Sequence, residues 1–133
     1  MKALKANVTN AFQKDSRIPT CDNSGAKLVR VISFKGAKTV KERKPTNGVS
    51  SFITCSVVTG APDMRKKVVN AIIVRQRKEY RRPNGMRIKF EDNAVVVLKD
   101  DKGNPKGTIL KGPIAKEVAD RWPAIAKLAS IVV

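Results

Sequence analysis

The sequence predicts a mainly β protein: a small closed barrel with a projecting β-hairpin and a short helical C-terminus. Short runs rich in Val, Ile and Phe recur along the chain, and Gly, Asn and Pro separate them. The apolar period changes only near the end, where helical spacing replaces strand-like runs. At 133 residues, the chain fits one domain spanning 1–133, with enough core to fold without metal or disulfide staples.

The expected strands are AKLVRVISF (26–34), VSSFITCSVV (49–58), KVVNAIIV (67–74), MRIKF (86–90), AVVVLK (94–99) and GTIL (107–110). Asn23-Ser24-Gly25, Gly36, Asn47-Gly48, Gly60-Ala61-Pro62-Asp63, Asn84-Gly85 and the stretch DDKGNPKG supply the turns, because Gly and Asn accept positive φ and Pro presets its own. Pro113 is positioned to open a helix that brings Ile114, Val118 and Trp122 to one face. Pro123 would end it before a second short turn, AIAKLAS, so the helical region is expected within 113–130. Residues 1–16 carry no clear element signal and are left as an N-terminal segment.

Twenty-eight Lys and Arg against eleven Asp and Glu leave a net charge of +17. A chain so charged repels itself unless a polyanion neutralises it, and nucleic acid is the first candidate. The basic residues do not line one face of an apolar helix, and no run approaches a membrane span, so a membrane partner is not expected. The first sixteen residues hold no continuous apolar stretch of the kind that directs secretion, which points to a cytoplasmic protein. Cys21 and Cys55 stand alone in a chain without histidine, too few ligands for zinc, and are expected to be reduced core thiols.

The densest charge lies in RQRKEYRRPNGMRIKF (75–90), which holds Arg75, Arg77, Lys78, Arg81, Arg82, Arg87 and Lys89 against the single acid Glu79. With Asn84-Gly85 as a two-residue turn, Arg82 faces Arg87, Arg81 faces Ile88 and Tyr80 faces Lys89. A like-charge cross-strand pair disfavours the hairpin by a few tenths of a kcal/mol, roughly, unless an anion lies between the two side chains. The arm from 75 to 82 lacks apolar alternation, so it is expected to project. Charged edge strands often serve only to block aggregation, but arginine's planar fork suits phosphate better than that role requires. Two further clusters extend the expected footprint: Lys35, Lys38, Lys41, Arg43 and Lys44 in one loop, and Arg65, Lys66 and Lys67 at a turn. With aromatics at 5% of the chain, base stacking falls to Tyr80 alone, while Phe34, Phe52 and Phe90 lie in strand runs as core. The pattern favours folded RNA read through its backbone.

Nothing in the chain points to catalysis. General base chemistry has no histidine to use, and the adjacent acids Glu91-Asp92 and Asp100-Asp101 suit turns better than a shared reaction centre. No metal or cofactor is expected.

The segment NAIIVRQRKEYRRPNGMRIKFEDNAVVVL (70–98) resembles the central signature of the universal large-subunit ribosomal protein family L-fourteen. Ala71 with Ile72, Ile73 and Val74, then Asn84-Gly85, Phe90, Asn93 and Val96 follow its spacing. CDNSGAK, GAPDMRKK and the C-terminal KGPIAKEVADRWPAIAKLASIVV are also similar to family segments, and RQRKEYRR and RWPAIA look like its archaeal and eukaryotic branch. Where the family usually carries Gly-Val-Gly-Asp, this chain has Gly48-Val49-Ser50-Ser51. The resemblance implies a five-stranded barrel and a structural role in the large ribosomal subunit. It also implies contacts with large-subunit rRNA, neighbouring ribosomal proteins, small-subunit rRNA across the subunit interface, and an anti-association factor. Carried onto these positions, RNA contacts fall on 75–89 and the basic loops, and Lys116, Arg121 and Trp122 fall on the intersubunit or factor-facing surface. A free nucleic-acid-binding module and an RNA-processing enzyme are the competing classes.

Overall fold

The computed structural model describes residues 2–133. In chain order, its strands are β1 (Phe12–Gln13), β2 (Arg17–Pro19), β3 (Ala26–Phe34), β4 (Thr46–Asn47), β5 (Phe52–Gly60), β6 (Val68–Arg75), β7 (Tyr80–Arg81), β8 (Arg87–Ile88) and β9 (Ala94–Val97), followed by helices α1 (Lys116–Arg121) and α2 (Pro123–Leu128). Five strands form one antiparallel sheet in the order β2-β3-β5-β6-β9. The sheet curls until its outer strands meet: Thr20 bridges Val95 in parallel, and the Cys21 amide donates to the Val95 carbonyl at 3.0 Å. Register shifts between Ala26 and Leu28, and again between Val31 and Ser33, bend the long β3 and β5 to follow that curvature.

Two cores share the same strands. Ile53, Cys55, Ala71, Ile73, Val95 and Val97 fill the barrel with Ile18, Val29 and Val31. Their neighbours Phe52, Ile72, Val74, Ala94 and Val96 point the other way and meet Ile114, Val118, Trp122 and Ile125 of the C-terminal region. Burial on both faces explains why 71–74 and 94–97 are apolar without alternation. Each Ile or Val buried this way contributes about 1.5–3 kcal/mol. Six-residue helices would not persist alone, so this packing is what holds α1 and α2.

Several local expectations change. The 107–110 run forms no strand; it is fastened by a bridge from Leu110 to Asp22, and Asn23 Oδ1 accepts from the Thr108 amide at 2.8 Å. The expected 86–90 strand shortens to Arg87–Ile88, and three short strands, β1, β2 and β4, appear where no strand was expected. Pro113 does not open a helix. Residues 114 and 115 run extended because the Ile114 and Lys116 amides donate to the carbonyls of Ile131 and Val133, and α1 begins only at Lys116. Pro123 is the first residue of α2 rather than only a terminator. Phe34, Phe52 and Phe90 are core, and Cys21 and Cys55 are buried free thiols, with burial pushing their pKa up to about 11 and about 12.

The hairpin register is slipped by one residue from the expected one. Tyr80 pairs with Ile88 and Arg81 with Arg87. Proline is the cause: a two-residue turn would need the Pro83 amide hydrogen to close it, and Pro83 has none. The closing pair moves out to Arg82 and Met86, whose bond is 2.9 Å, leaving a Pro83-Asn84-Gly85 loop with Gly85 at φ +86°. A one-residue slip turns every side chain to the other face.

Candidate nucleic-acid interface

The slip decides which cations of the hairpin are free. Tyr80 and Arg82, two apart on one strand, turn inward onto α1. The Tyr80 hydroxyl donates to Glu117 Oε2 at 2.7 Å, Arg82 Nε donates to Glu117 Oε1 at 2.8 Å, and Arg82 Nη2 reaches the Val133 carbonyl at 2.6 Å. Burial and the adjoining carboxylate push the Tyr80 hydroxyl above its usual pKa; for Arg82 the burial effect is outweighed by its bonds to Glu117 and Tyr80, which raise it. Arg75 is also spoken for. Its Nε and Nη2 grip Asp92 at 2.9 and 3.0 Å, and Nη1 donates to the carbonyls of Lys111 and Pro113 at 2.9 and 2.8 Å.

Two expectations are thereby corrected. Tyr80 is fully buried, so its ring is not offered for stacking. Arg75 and Arg82 are internal ties: all three nitrogens of Arg75, and Nε and Nη2 of Arg82, donate within the chain. Charge reversal at Arg82 would not spare the fold, because it would set an acid against the buried Glu117.

What remains on the hairpin is an exposed set: Arg77, Lys78, Arg81, Arg87 and Lys89. Only Arg87 has an acidic partner, Glu79 at 3.0 Å, with both side chains largely in water, so that pair holds little energy. Arg81 and Arg87 face each other across the ladder, the like-charge pair the register places here. The hairpin base is rigid. Gln76, fully buried, accepts from the Val49 amide and donates to the carbonyls of Thr9 and Lys78, all at 2.9 Å, while Asn93 Oδ1 accepts from the Arg77 amide at 2.8 Å. Asn7 bridges Arg81, which sets the N-terminal segment beside β7. Neither Gln76 nor Glu117 is distinguished by its sequence neighbourhood, since each is a polar residue next to a basic one.

The loop 35–44 leaves β3 at the end of the sheet where β6 delivers the hairpin, because Phe34 pairs with Ile53 and Phe52 with Ile72. Lys35, Lys38, Lys41, Arg43 and Lys44 are exposed there, with Lys41 and Glu42 at positive φ and Thr39 Oγ1 bonded to the Arg43 carbonyl. Lys35 also lies over the Phe52 ring, 4.8 Å from its centroid. Arg65, Lys66 and Lys67 are exposed at the opposite end, where Ala26 pairs with Gly60. The structure therefore joins two of the three basic clusters and separates the third.

Of the C-terminal candidates, Lys116 is on the surface. Trp122 is core, its ring 6.0 Å from Phe52 and its Nε1 donating to the Ser50 carbonyl at 3.0 Å. Arg121 is half-buried against the same carbonyl. Ser50, in the stretch that departs from the family wording, takes φ +71° and keeps the turn despite lacking glycine's freedom. Among the described residues, no three His, Cys, Asp or Glu side chains group as metal ligands, and Asp92 and Glu117 are engaged by arginine.

Residues 11–133 match the model of a family described as ribosomal protein L14p/L23e. The chain is 50% identical over 133 residues, the full length of both, to the large ribosomal subunit protein uL14 of Nanoarchaeum equitans. It is likewise 50% identical to that of Halorubrum lacusprofundi and 46% identical to that of Methanoregula boonei, again over both full lengths.

Proposed function

The chain belongs to the ribosomal protein L14p/L23e family and is a structural, non-catalytic constituent of the large ribosomal subunit in the cytoplasm, and from that premise we propose that its hairpin end binds large-subunit rRNA. The contacts run from Arg77, Lys78, Arg81, Arg87 and Lys89 to the exposed cations of the 35–44 loop. The carrying observation is the Arg81–Arg87 cross-strand pair: two exposed guanidiniums opposed on a ladder that their own charge disfavours. A phosphate between them reverses the sign. Arginine forks give each contact a fixed geometry, and the buried Tyr80–Glu117–Arg82 tie keeps the ladder from yielding.

Neighbouring ribosomal proteins are the further partners. Intersubunit contact with small-subunit rRNA and contact with an anti-association factor are assigned to Lys116 and the exposed apolar residues Ile131, Val132 and Val133, whose backbone the bond from the Lys116 amide to the Val133 carbonyl sets alongside it.

The test is Arg81→Ala with Arg87→Ala, read by the salt dependence of binding to large-subunit rRNA fragments. Two lost phosphate contacts lower the slope of log K against log salt by about 1.4–1.8. The melting temperature should stay near that of the parent, since both side chains are exposed. An unchanged slope would remove the hairpin from the interface.

A further inference from the structure

The chain holds two Asn-Gly pairs, Asn47-Gly48 and Asn84-Gly85, and the fold sets them in opposite surroundings. Glycine after asparagine gives the backbone freedom to bring its nitrogen onto the side-chain amide carbon, the step that begins loss of ammonia. Asn84 lies exposed in the Pro83-Asn84-Gly85 loop. Outside its chain neighbours, a Cβ at Gly85 would meet only Arg81 Nη2, at 3.9 Å, so this glycine has room to turn and a guanidinium beside it. The Met86 amide donates to Asn84 Oδ1 at 3.0 Å. That oxygen gathers negative charge when the side-chain carbon is attacked, and the loop already aims one donor at it. Arg81 adds positive potential at the same place, and no ion pair among the described residues engages it. Asn47-Gly48 has neither the space nor the cation. Gly48 is buried, a Cβ there would lie 2.5 Å from Val8 Cγ1 and 2.7 Å from both Gln76 Oε1 and the Thr9 carbonyl oxygen, and Asn47 pairs with Phe12 in the β1–β4 ladder. Its Oδ1 accepts from the Gly48 amide itself at 3.1 Å.

We propose that Asn84 is a deamidation site of the folded chain, and that RNA seated on the hairpin shields it, so that the loop records time spent unbound. In the reaction, the Gly85 nitrogen yields its proton to hydroxide, gives up its bond to the Arg82 carbonyl, and forms a bond to Asn84 Cγ. The Cγ–Nδ2 bond then breaks, Nδ2 takes a proton from water and leaves as ammonia, and a cyclic succinimide remains. Water opens that ring at either carbonyl, giving aspartate or isoaspartate at position 84. The net change is water consumed and ammonia released. Either product puts a carboxylate where a neutral amide stood, and isoaspartate also lengthens the backbone within the loop that closes the hairpin. The new charge stands near Arg81, one half of the Arg81–Arg87 pair. It supplies that pair with an internal counter-charge and repels the phosphate that would otherwise lie between the two side chains. The shielding half of the proposal rests on the reading of the hairpin as an RNA contact; the site itself does not. A bound phosphate neutralises Arg81 and restricts the loop movement that ring closure needs, and both effects slow the attack.

The experiment incubates the purified full chain at neutral and mildly alkaline pH, alone and with a large-subunit rRNA fragment, and follows Asn47 and Asn84 by peptide-mapping mass spectrometry. In the free chain Asn84 should convert at least about tenfold faster than Asn47, since one donor aimed at a developing oxyanion is by itself worth about a hundredfold. Arg81→Ala should slow conversion at Asn84 severalfold, and added salt should slow the parent toward the same rate. Bound RNA should reduce conversion in proportion to the fraction of chain bound. Asn84→Asp, which keeps an acceptor for the Met86 amide, should melt near the parent yet bind the RNA fragment severalfold more weakly at low salt, with the gap closing as salt rises. Asn47 converting as fast as Asn84, or Arg81→Ala leaving the rate at Asn84 unchanged or faster, overturns the site. RNA that binds through Arg81 and Arg87 but leaves the rate unchanged overturns the shielding, and an Asn84→Asp variant that binds like the parent overturns the consequence. RNA binding indifferent to the Arg81 and Arg87 substitutions instead overturns the reading on which the shielding rests.

Discussion

The Tyr80 hydroxyl donates to Glu117 Oε2 at 2.7 Å across 37 positions of sequence, and the same carboxylate receives Arg82 on its other oxygen. The basic hairpin is therefore bolted to the C-terminal helix through one buried acid. Arg82→Ala leaves that acid without its cation and should cost about 3–5 kcal/mol. Tyr80→Phe keeps the ion pair, removes one donor to a charged group, and should cost about 1.5–3 kcal/mol. Chemical denaturation of the two single variants and the double variant checks both, and the losses should fail to add by more than about 0.5 kcal/mol because the pair shares one carboxylate.

Arg75 joins the end of β6 to the 111–113 segment, and most of its hold is on carbonyls. Arg75→Lys cannot reproduce the fork and should lower stability by about 1–3 kcal/mol. Asp92→Asn removes only the more exposed partner and should cost less than about 1 kcal/mol. Equal losses in urea titrations would mean that the ion pair, not the carbonyl clamp, carries the contact.

Asp22 is buried, its Oδ2 accepting from the Val97 amide at 2.8 Å and its Oδ1 from Ser24. Desolvation raises its pKa, so the folded state favours the protonated form more than the unfolded state does. Stability from this source is complete below the unfolded pKa, near 3.8, and is lost as pH rises through the raised folded value. Asp22→Asn keeps an acceptor without the charge and should melt at or above the parent at pH 7, with the gap narrowing as pH falls toward 4. Asp22→Ala orphans the Val97 amide and should cost about 1–3 kcal/mol.

Ser50 occupies the left-handed region at φ +71°, which costs a non-glycine residue about 1–2 kcal/mol. Its hydroxyl returns only a long bond, 3.3 Å, to the Glu117 carbonyl. Ser50→Gly should therefore melt no lower than the parent, while Ser50→Val, β-branched and without a donor in a fully buried site, should melt well below it. A glycine variant clearly less stable than the parent would show that the hydroxyl bond outweighs the strain.

Much of the scaffold was legible because its signals are local. Strands 26–34 and 68–75 follow Val and Ile enrichment, and Gly85 sits at positive φ in the turn that Asn84-Gly85 marks. Phe34, Phe52 and Phe90 are buried where strand runs put them. The short strands β1, β2 and β4 were not legible, since two or three residues set no period and their pairing comes from partners elsewhere in the chain.

By itself, the sequence determined a β framework, a helical end and an excess of fixed positive charge, because backbone preference and composition belong to each residue and its neighbours. Only the tertiary structure decided which cations are available. Pro83, lacking an amide hydrogen, shifted the hairpin by one residue and turned Arg82 inward, where Glu117 and the Val133 carbonyl, 35 and 51 positions away, take its donors. Connectivity likewise concealed that residues 61–67 and 99–111 converge on one end of the barrel while residues 35–44 meet the hairpin at the other. Charge is a sum over the sequence, but a free charge is one that no distant partner has neutralised, and folding alone brings those partners within reach.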